Sequence, residues 1–410
     1  MNNTIYLKIE NLLYLLAVEK EIDDAEITVK SDVNGGDGFL GNYYIAEVKG
    51  KDKKLDVFIK TIRIAGMYLQ NIIKYAYLNE FVFYDIIYPE FVKYEEKKGV
   101  KEIFRSIPKC YKIHRDDGQE TIFLENLKIQ GFKQHNRKEP MNDEHIKLVL
   151  EELAHFHSIS FAIKNENEEK FKELVKNVCC VNTTLNLNDF SDTMEYISNY
   201  ALARLDPIRD NKYYDIFKDF TLNVSDILKS LDDLVTNNIV VTHGDLHNNN
   251  LMFKYHNGSP KEVRIFDWQL MRLTTPIVDV SLFFYSSCNE DQLKRLDNFL
   301  QIYHNKLTDC VQNLIGTKEP IYSYETFLNE WKIFARYGLV VGFLLQKILL
   351  TDADVINQQK LETENNIPSM KDIMASFELQ NSREWERRIK ALISHFIESD
   401  FLKPINFCKK

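Results

Sequence analysis

Glycine and proline are scarce in this chain, 14 and 9 among 410 residues, which excludes long disordered linkers. Cysteine is scarcer still: six, at positions 110, 179, 180, 288, 310 and 408, with no C-x-x-C pair. Cys179 and Cys180 are adjacent and ill placed to bridge each other. Scattered thiols of this kind suit a reducing compartment and read as small buried hydrophobes. Positive charge is in deficit. Lys plus Arg total 52 against 61 for Asp plus Glu, a formal charge of −9, and a phosphate backbone wants the opposite. No window reaches ~18 uninterrupted apolar residues, so no membrane span is expected. The longest apolar run, "YGLVVGFLLQKILL" from Tyr337 to Leu350, reads as a buried core helix. The first residues, "MNNTIYLKIENLLYLLAVEKEIDD", lack the basic start of a secretory signal. A cytoplasmic location is therefore expected. G-x-x-x-x-G-K-[ST] is missing too, which removes the P-loop enzymes.

What is present is ample material for a core, 44% hydrophobic residues with 28% charged, over a length that suits two or three domains. Two β-rich runs, "NYYIAEVKG" and "LDVFIKT", flank the turn "GKDKK" and predict a hairpin. The stretch "GMYLQNIIKYAYLNEFVFYDIIY" spaces Ile73, Tyr77, Tyr84 and Ile87 as one face of a helix. "SIPKCYKIHRDDGQETIFLENL" predicts two more strands around "RDDG". Beyond it, Asn142 is a candidate N-cap, with Asp143 and Glu144 suited to the positive end of the helix dipole. Helical patterns then dominate, except for a β island at 239–268 whose runs "NLMFKY" and "EVRIFDW" flank the turn-rich "HNGSPK". The expected class is α+β in two parts, residues 1–126 small and β-rich, residues 127–410 larger and mostly helical.

The densest chemistry lies in "VTHGDLHNNNLMF", Val241–Phe253. Three readings compete. A metallophosphatase would use Asp245 and His247 but needs further ligand clusters downstream, and no second G-D-x-x-D or G-N-H follows. A zinc site on His243 and His247 needs at least one more ligand at suitable spacing. A phosphotransferase loop needs an Asp to position and deprotonate a hydroxyl and an Asn five residues on for Mg²⁺. Asp245 and Asn250 have that spacing, and Asp267 in "IFDWQ" supplies a second metal-binding carboxylate after the next hairpin.

That third reading makes demands upstream. "NGGDGFLGNYY" offers a glycine-rich turn, with Gly36, Gly38 and Gly41, whose backbone N–H groups can approach ATP phosphates. Lys60 ends the following strand as the phosphate-binding lysine, and Glu80 on the next helix would hold it. "FLENL" sits where the two parts meet, so the backbone of Glu125 and Leu127 is placed to take the adenine edge. His243 and His247 read as ordering the loop through hydrogen bonds. Asn248 and Asn249 read as turn-formers. His155 and His157, two apart on a helix, point about 200° from each other and read as structural.

"THGDLHNNNLMF" with "IFDWQ" resembles the aminoglycoside phosphotransferase and choline kinase group of the protein-kinase-like fold. The closer resemblance is to the ecdysteroid kinase-like family. "FVFYDIIYPE", "IPKCYKI", "FLENLKIQGF", "LEELAHFHSIS" and "FDWQLMRLTTPIVDVSLFFYSS" follow that family's blocks in order, over roughly residues 30–290. The resemblance implies a two-lobed kinase fold that uses ATP and Mg²⁺. Asp245 would be the catalytic base, Asn250 and Asp267 the metal ligands, Lys60 and Glu80 the phosphate-anchoring pair, and Asp279 a buried brace under the catalytic loop. Two positions depart from the family's pattern: Asn126 where an Asp is usual, and Trp268 where a Phe is usual. Neither removes a catalytic group.

The expected activity is transfer of the γ-phosphate of ATP to a hydroxyl of a lipophilic alcohol, an ecdysteroid or a xenobiotic. Neither nucleic acid nor a protein partner is implied. The alternatives are a pseudokinase that binds a small molecule without turnover, and a choline- or aminoglycoside-type kinase. A choline-type acceptor would want an aromatic and acidic cage. A protein kinase fits less well, since Asp279 follows Asp267 by only 12 positions, which leaves no room for a long activation segment, and no A-P-E follows.

Overall fold

The computed structural model describes residues 3–31, 41–63, 67–179, 187–234, 236–362, 369–377, 379 and 382–403. Gly36 and Gly38 lie outside them. The chain opens with a helix, α1 (Asn3–Glu19), followed by β1 (Glu26–Ser31), β2 (Gly41–Lys49) and β3 (Lys54–Ile62). Helix α2 (Met67–Val82) comes next, then a π-helical turn at Phe83–Ile87, α3 (Tyr88–Lys98), β4 (Cys110–His114) and β5 (Thr121–Glu125). The five strands form one antiparallel sheet in the order β1-β2-β3-β5-β4.

Period-two alternation decides which face each strand residue takes. Val57 and Ile59 of β3, with Val48 and Phe123, pack under Ile9, Leu12, Leu13 and Leu16 of α1. Ile62, Ile122 and Leu124 turn to the other face and join Ile73, Tyr77 and Tyr84 of the helical segment behind it. Lys60 shares that second face.

The helix carrying Glu80 runs from Met67 to Lys98 with the π-turn inside it. An extra residue in a turn re-aims the side chains that follow, and such turns cluster at functional sites. Here it coincides with Phe83, whose ring lies flat on Trp268 at 3.7 Å and 7°.

The remainder is mostly helical. α4 (Asp143–Glu166) starts where predicted, with the Asn142 side chain accepting from His145 N–H. It packs along helix Leu296–Ile315, while helix Ile277–Ser287 packs along Tyr324–Leu350. The last of these is the run read as a buried helix. It is long and apolar enough to cross a bilayer, and 83% of its most apolar window is buried inside the protein. The β island holds β6 (Val240–Thr242), the hairpin β7 (Leu251–His256) and β8 (Ser259–Ile265), and a short β9 (Arg272–Thr274). Strand β9 was not expected from the sequence; it pairs antiparallel with β6.

Candidate active site

Lys60 leaves β3 toward α2. Its Nζ lies 2.9 Å from Glu80 Oε2 and 2.7 Å from Asp267 Oδ1. The Lys60 and Glu80 side chains are almost fully buried and that of Asp267 is 25% exposed, so the cluster opens to the cleft on the Asp267 side. Gln269 completes it: with its amide turned to satisfy both neighbours, it donates to Asp267 Oδ1 at 3.2 Å and accepts from Lys60 Nζ at 3.3 Å. Burial alone would lower the pKa of Lys60, but Asp267 and Glu80 outweigh it and raise it above the ordinary lysine value. Burial also raises the pKa of Glu80, more than Lys60 can offset, and Asp267 adds to the rise. Two carboxylates share one ammonium, so the lysine is held cationic and Glu80 is the carboxylate whose pKa the crowding raises. Lys60 is thus a buried, paired lysine and not a solvated residue of a strand edge.

The half of the cleft that carries Asp245 is built differently. Strand β6 runs into His243, Gly244 and Asp245. Asp279, fully buried in the first turn of helix Ile277–Ser287, accepts from His243 N–H at 2.6 Å and Gly244 N–H at 2.8 Å. His157 Nε2 lies 3.3 Å from the same carboxylate, and its Nδ1 is 2.8 Å from the Tyr303 hydroxyl. Burial pushes the Asp279 carboxyl up, but His157 and the loop N–H donors overcome this and hold it below the usual range. The His243 ring sits with Nε2 2.9 Å from Phe266 O and Nδ1 facing the Asp245 N–H at 3.3 Å. One nitrogen donates and the other accepts, so the ring is neutral, in line with a pKa lowered by burial.

Gly244 has φ +82°, and a Cβ there would meet Leu270 O at 1.9 Å. Only glycine fits both the left-handed backbone and that approach. The loop is thus held by its main chain, and the Asp245 side chain is left 29% exposed at the cleft.

Asn250 turns its Nδ2 back to Asp245, 2.8 Å from the carbonyl and 3.3 Å from Oδ2, which directs its Oδ1 the other way. The Leu251–Ile265 pairing and the bond from Phe266 N–H to Asn250 O at 3.1 Å bring Asn250 and Asp267 to the same mouth of the hairpin. One amide oxygen and one carboxylate suit a hard cation with oxygen chemistry. Among the described residues no group of three or more His, Cys, Asp or Glu has the placement to hold a metal, so the zinc reading of His243 and His247 finds no third ligand. His247 instead lies beside Asp245 Oδ2 at 3.5 Å and accepts from Asn249 N–H at 3.4 Å, at the head of the 3-10 turn Asn248–Asn250.

At the junction of the two parts, Glu125 N–H donates to Lys109 O and Asn126 N–H to Asp56 O. The Asn126 Oδ1 accepts from Lys128 N–H at 3.2 Å, a bond an aspartate would make as well. The Leu127 side chain packs with Phe132, Met252 and Phe266, an apolar patch beside the hinge. Gly41 opens β2 against Ile62, and a Cβ there would lie 2.5 Å from the Tyr77 hydroxyl. Packing against α2 is thus reason enough for this glycine.

Sequence reasoning read His157 as structural without foreseeing its partner Asp279, and missed Gln269 and the conformational need for Gly244. His157 and Gln269 stand inside the quoted motifs "LEELAHFHSIS" and "IFDWQ", but only folding shows that one supports Asp279 and the other spans Lys60 and Asp267.

A five-stranded sheet with a lysine–glutamate pair on one side of a cleft, and on the other an Asp–Asn loop followed by a hairpin ending in a second Asp, define a two-lobed protein-kinase-like fold. The chain belongs to the ecdysteroid kinase-like family, whose sequence model matches residues 35–315. No curated protein matches it. Among solved structures it is similar to an ethanolamine kinase from Plasmodium vivax, at 13% identity and TM-score 0.44 over 91% of this chain and 83% of that one. It is also similar to aminoglycoside 2'-phosphotransferase-IIIa in its GDP complex, at 17% identity and TM-score 0.42 over 89% of this chain and 98% of that one.

Proposed function

We propose that this chain is an ATP- and Mg²⁺-dependent kinase that phosphorylates a hydroxyl of a small lipophilic alcohol, an ecdysteroid or a xenobiotic, in the cytoplasm and without nucleic acid or a protein partner. The observation that carries the reading is Lys60, buried and cationic, gripped at once by Glu80 and Asp267. A lysine in that setting is aimed, and its target is the ATP phosphates. Asn250 and Asp267 would hold Mg²⁺, which would supply positive charge to offset that of the phosphates. The apolar patch of Leu127, Met252 and Phe266 takes the adenine. Asp245 accepts hydrogen bonding from the acceptor hydroxyl, orients its oxygen toward the γ-phosphorus, and takes its proton as the new P–O bond forms and the bond to the β–γ bridging oxygen breaks, releasing ADP. Exposure of the Asp245 carboxylate, over a backbone fixed by Asp279, suits that role.

A small-molecule acceptor is supported by how little chain separates Asp267 from helix Ile277–Ser287: a 3-10 turn, Trp268–Leu270, and β9. A peptide-docking platform has no segment to form on. The lipophilic acceptor rests on family membership.

The test is transfer from labelled ATP to a panel of steroid, phenolic and sugar alcohols and choline. Phosphorylation of a steroid or phenol, abolished by chelator, is expected. Transfer only to choline or a sugar would replace the acceptor class. Nucleotide binding without transfer to any acceptor would make the protein a binder.

A further inference from the structure

Asn79 immediately precedes Glu80 on α2 and is 1% exposed. Adjacent helical residues point about 100° apart, so while Glu80 faces Lys60, Asn79 faces the segment that follows Asp267. Its Nδ2 lies 2.6 Å from Met271 O, 3.2 Å from Gln269 O and 3.0 Å from Cys179 O. Its Oδ1 accepts from Cys179 N–H at 3.0 Å. One buried amide thus ties three stretches of chain: the helix, the turn after Asp267, and the segment at Cys179. The turn needs fastening. Asp267 has φ +69°, a left-handed backbone that a non-glycine residue keeps only when its surroundings impose it.

We propose that Asn79 is a positioning residue, a clasp that fixes the Asp267–Arg272 turn to the helix carrying Glu80. Movement of that helix and displacement of the Asp267 carboxylate are thereby one event. Gln269 carries the coupling from backbone to side chain, since its carbonyl is held by Asn79 while its amide touches Asp267 and Lys60. The parallel Phe83–Trp268 stack, one turn further along, fastens the same two elements.

Two measurements on the full chain test this. The first is amide exchange without ligand, comparing wild type with Asn79→Ala. Exchange of the Met271 amide, which bonds Trp268 O at 3.2 Å, and of the Cys179 amide rises by about tenfold or more, while the β2–β3 amides are unchanged. Uniform loosening of the chain, or no change at Met271, overturns the clasp. So does a wild-type Met271 amide that exchanges as fast as an unprotected one, a result that needs no variant. Asn79→Asp, which keeps the shape and loses the donors, carries the same comparison if the alanine variant does not fold.

The second measurement rests on the reading of Asp267 as a magnesium ligand. The Mg²⁺ half-saturation for nucleotide binding, by calorimetry, rises about 10- to 100-fold in Asn79→Ala, and turnover recovers at high Mg²⁺. Lower turnover with an unchanged Mg²⁺ requirement overturns the positioning role. If the wild type transfers no phosphate at all, the proposed function fails, while the exchange result still decides the clasp.

Discussion

The two halves of the cleft are fixed by opposite means. On the Lys60 side, charge is satisfied by charge: a buried Lys60 stands between the carboxylates of Glu80 and Asp267. On the catalytic-loop side, the buried carboxylate of Asp279 is spent on main-chain N–H groups, and the functional carboxylate of Asp245 projects from the backbone so fixed. A largely buried ion cluster makes its members interdependent, because removing one leaves the others uncompensated. A braced backbone separates the tasks: Asp279 holds the main chain, and Asp245 is the carboxylate proposed to react. Substitutions on the two sides should therefore fail in different ways.

The largest effect is expected at Asp245. Asp245→Asn keeps size and hydrogen bonding but cannot take a proton, so kcat falls by about two to four orders of magnitude. Mg-ATP affinity, by calorimetry, and melting temperature stay close to wild type. Retention of more than about a tenth of wild-type turnover would remove Asp245 as the base.

Asp279→Ala reverses the pattern. It leaves the His243 and Gly244 N–H groups without their acceptor in a fully buried site, at about 1–3 kcal/mol each. The melting temperature falls by many degrees, and activity is lost with the fold. A variant that melts normally but has no turnover would move Asp279 from bracing into the chemistry.

Lys60→Ala falls between these. Nucleotide binding weakens, and stability suffers as well, because Glu80 and Asp267 then face each other. Glu80 already has a raised pKa, and a carboxyl whose folded-state pKa is raised contributes stability at low pH that is lost as pH rises through it. The variant should therefore lose more melting temperature at pH 8 than at pH 5. An equal loss at both would mean the cluster is less coupled than its distances imply.

The smallest effect lies far from the cleft. Burial lowers the pKa of His395 to about 4. For a histidine lowered in the folded state, the unfolded chain takes up the proton first. Stability is fully present above about pH 6.5 and declines as pH falls toward 4. His395→Phe removes this decline, so the melting-temperature difference between variant and wild type should change across that window and be flat above it.

Much of this was readable from residue order. The hairpin of β2 and β3, the Asn142 cap, the hairpin of β7 and β8, and the spacing of Asp245, Asn250 and Asp267 are local features, set by alternation, capping and turn chemistry within a few residues. Glu80 could be placed on a helical face with Ile73, Tyr77, Tyr84 and Ile87 because helical periodicity is also local. Strand β9 escaped notice because its three residues carry no pattern of their own; they are a strand only because β6 is there to bond them. Gly41 was legible as a glycine that a phosphate-binding turn would want, but its contact with the Tyr77 hydroxyl depends on where α2 lands.

The sequence by itself determined the class of fold and the chemical types at the site, since those follow from short-range periodicity and from which side chains can donate, accept or carry charge. Only the tertiary structure decided that Lys60 meets Asp267 across 207 positions of chain, that His157 supports Asp279, and that one amide at Asn79 gathers three separate segments. The physical reason is range. A hydrogen bond or ion pair acts over about 3 Å, and no local rule states which distant residues the packed core will bring within it.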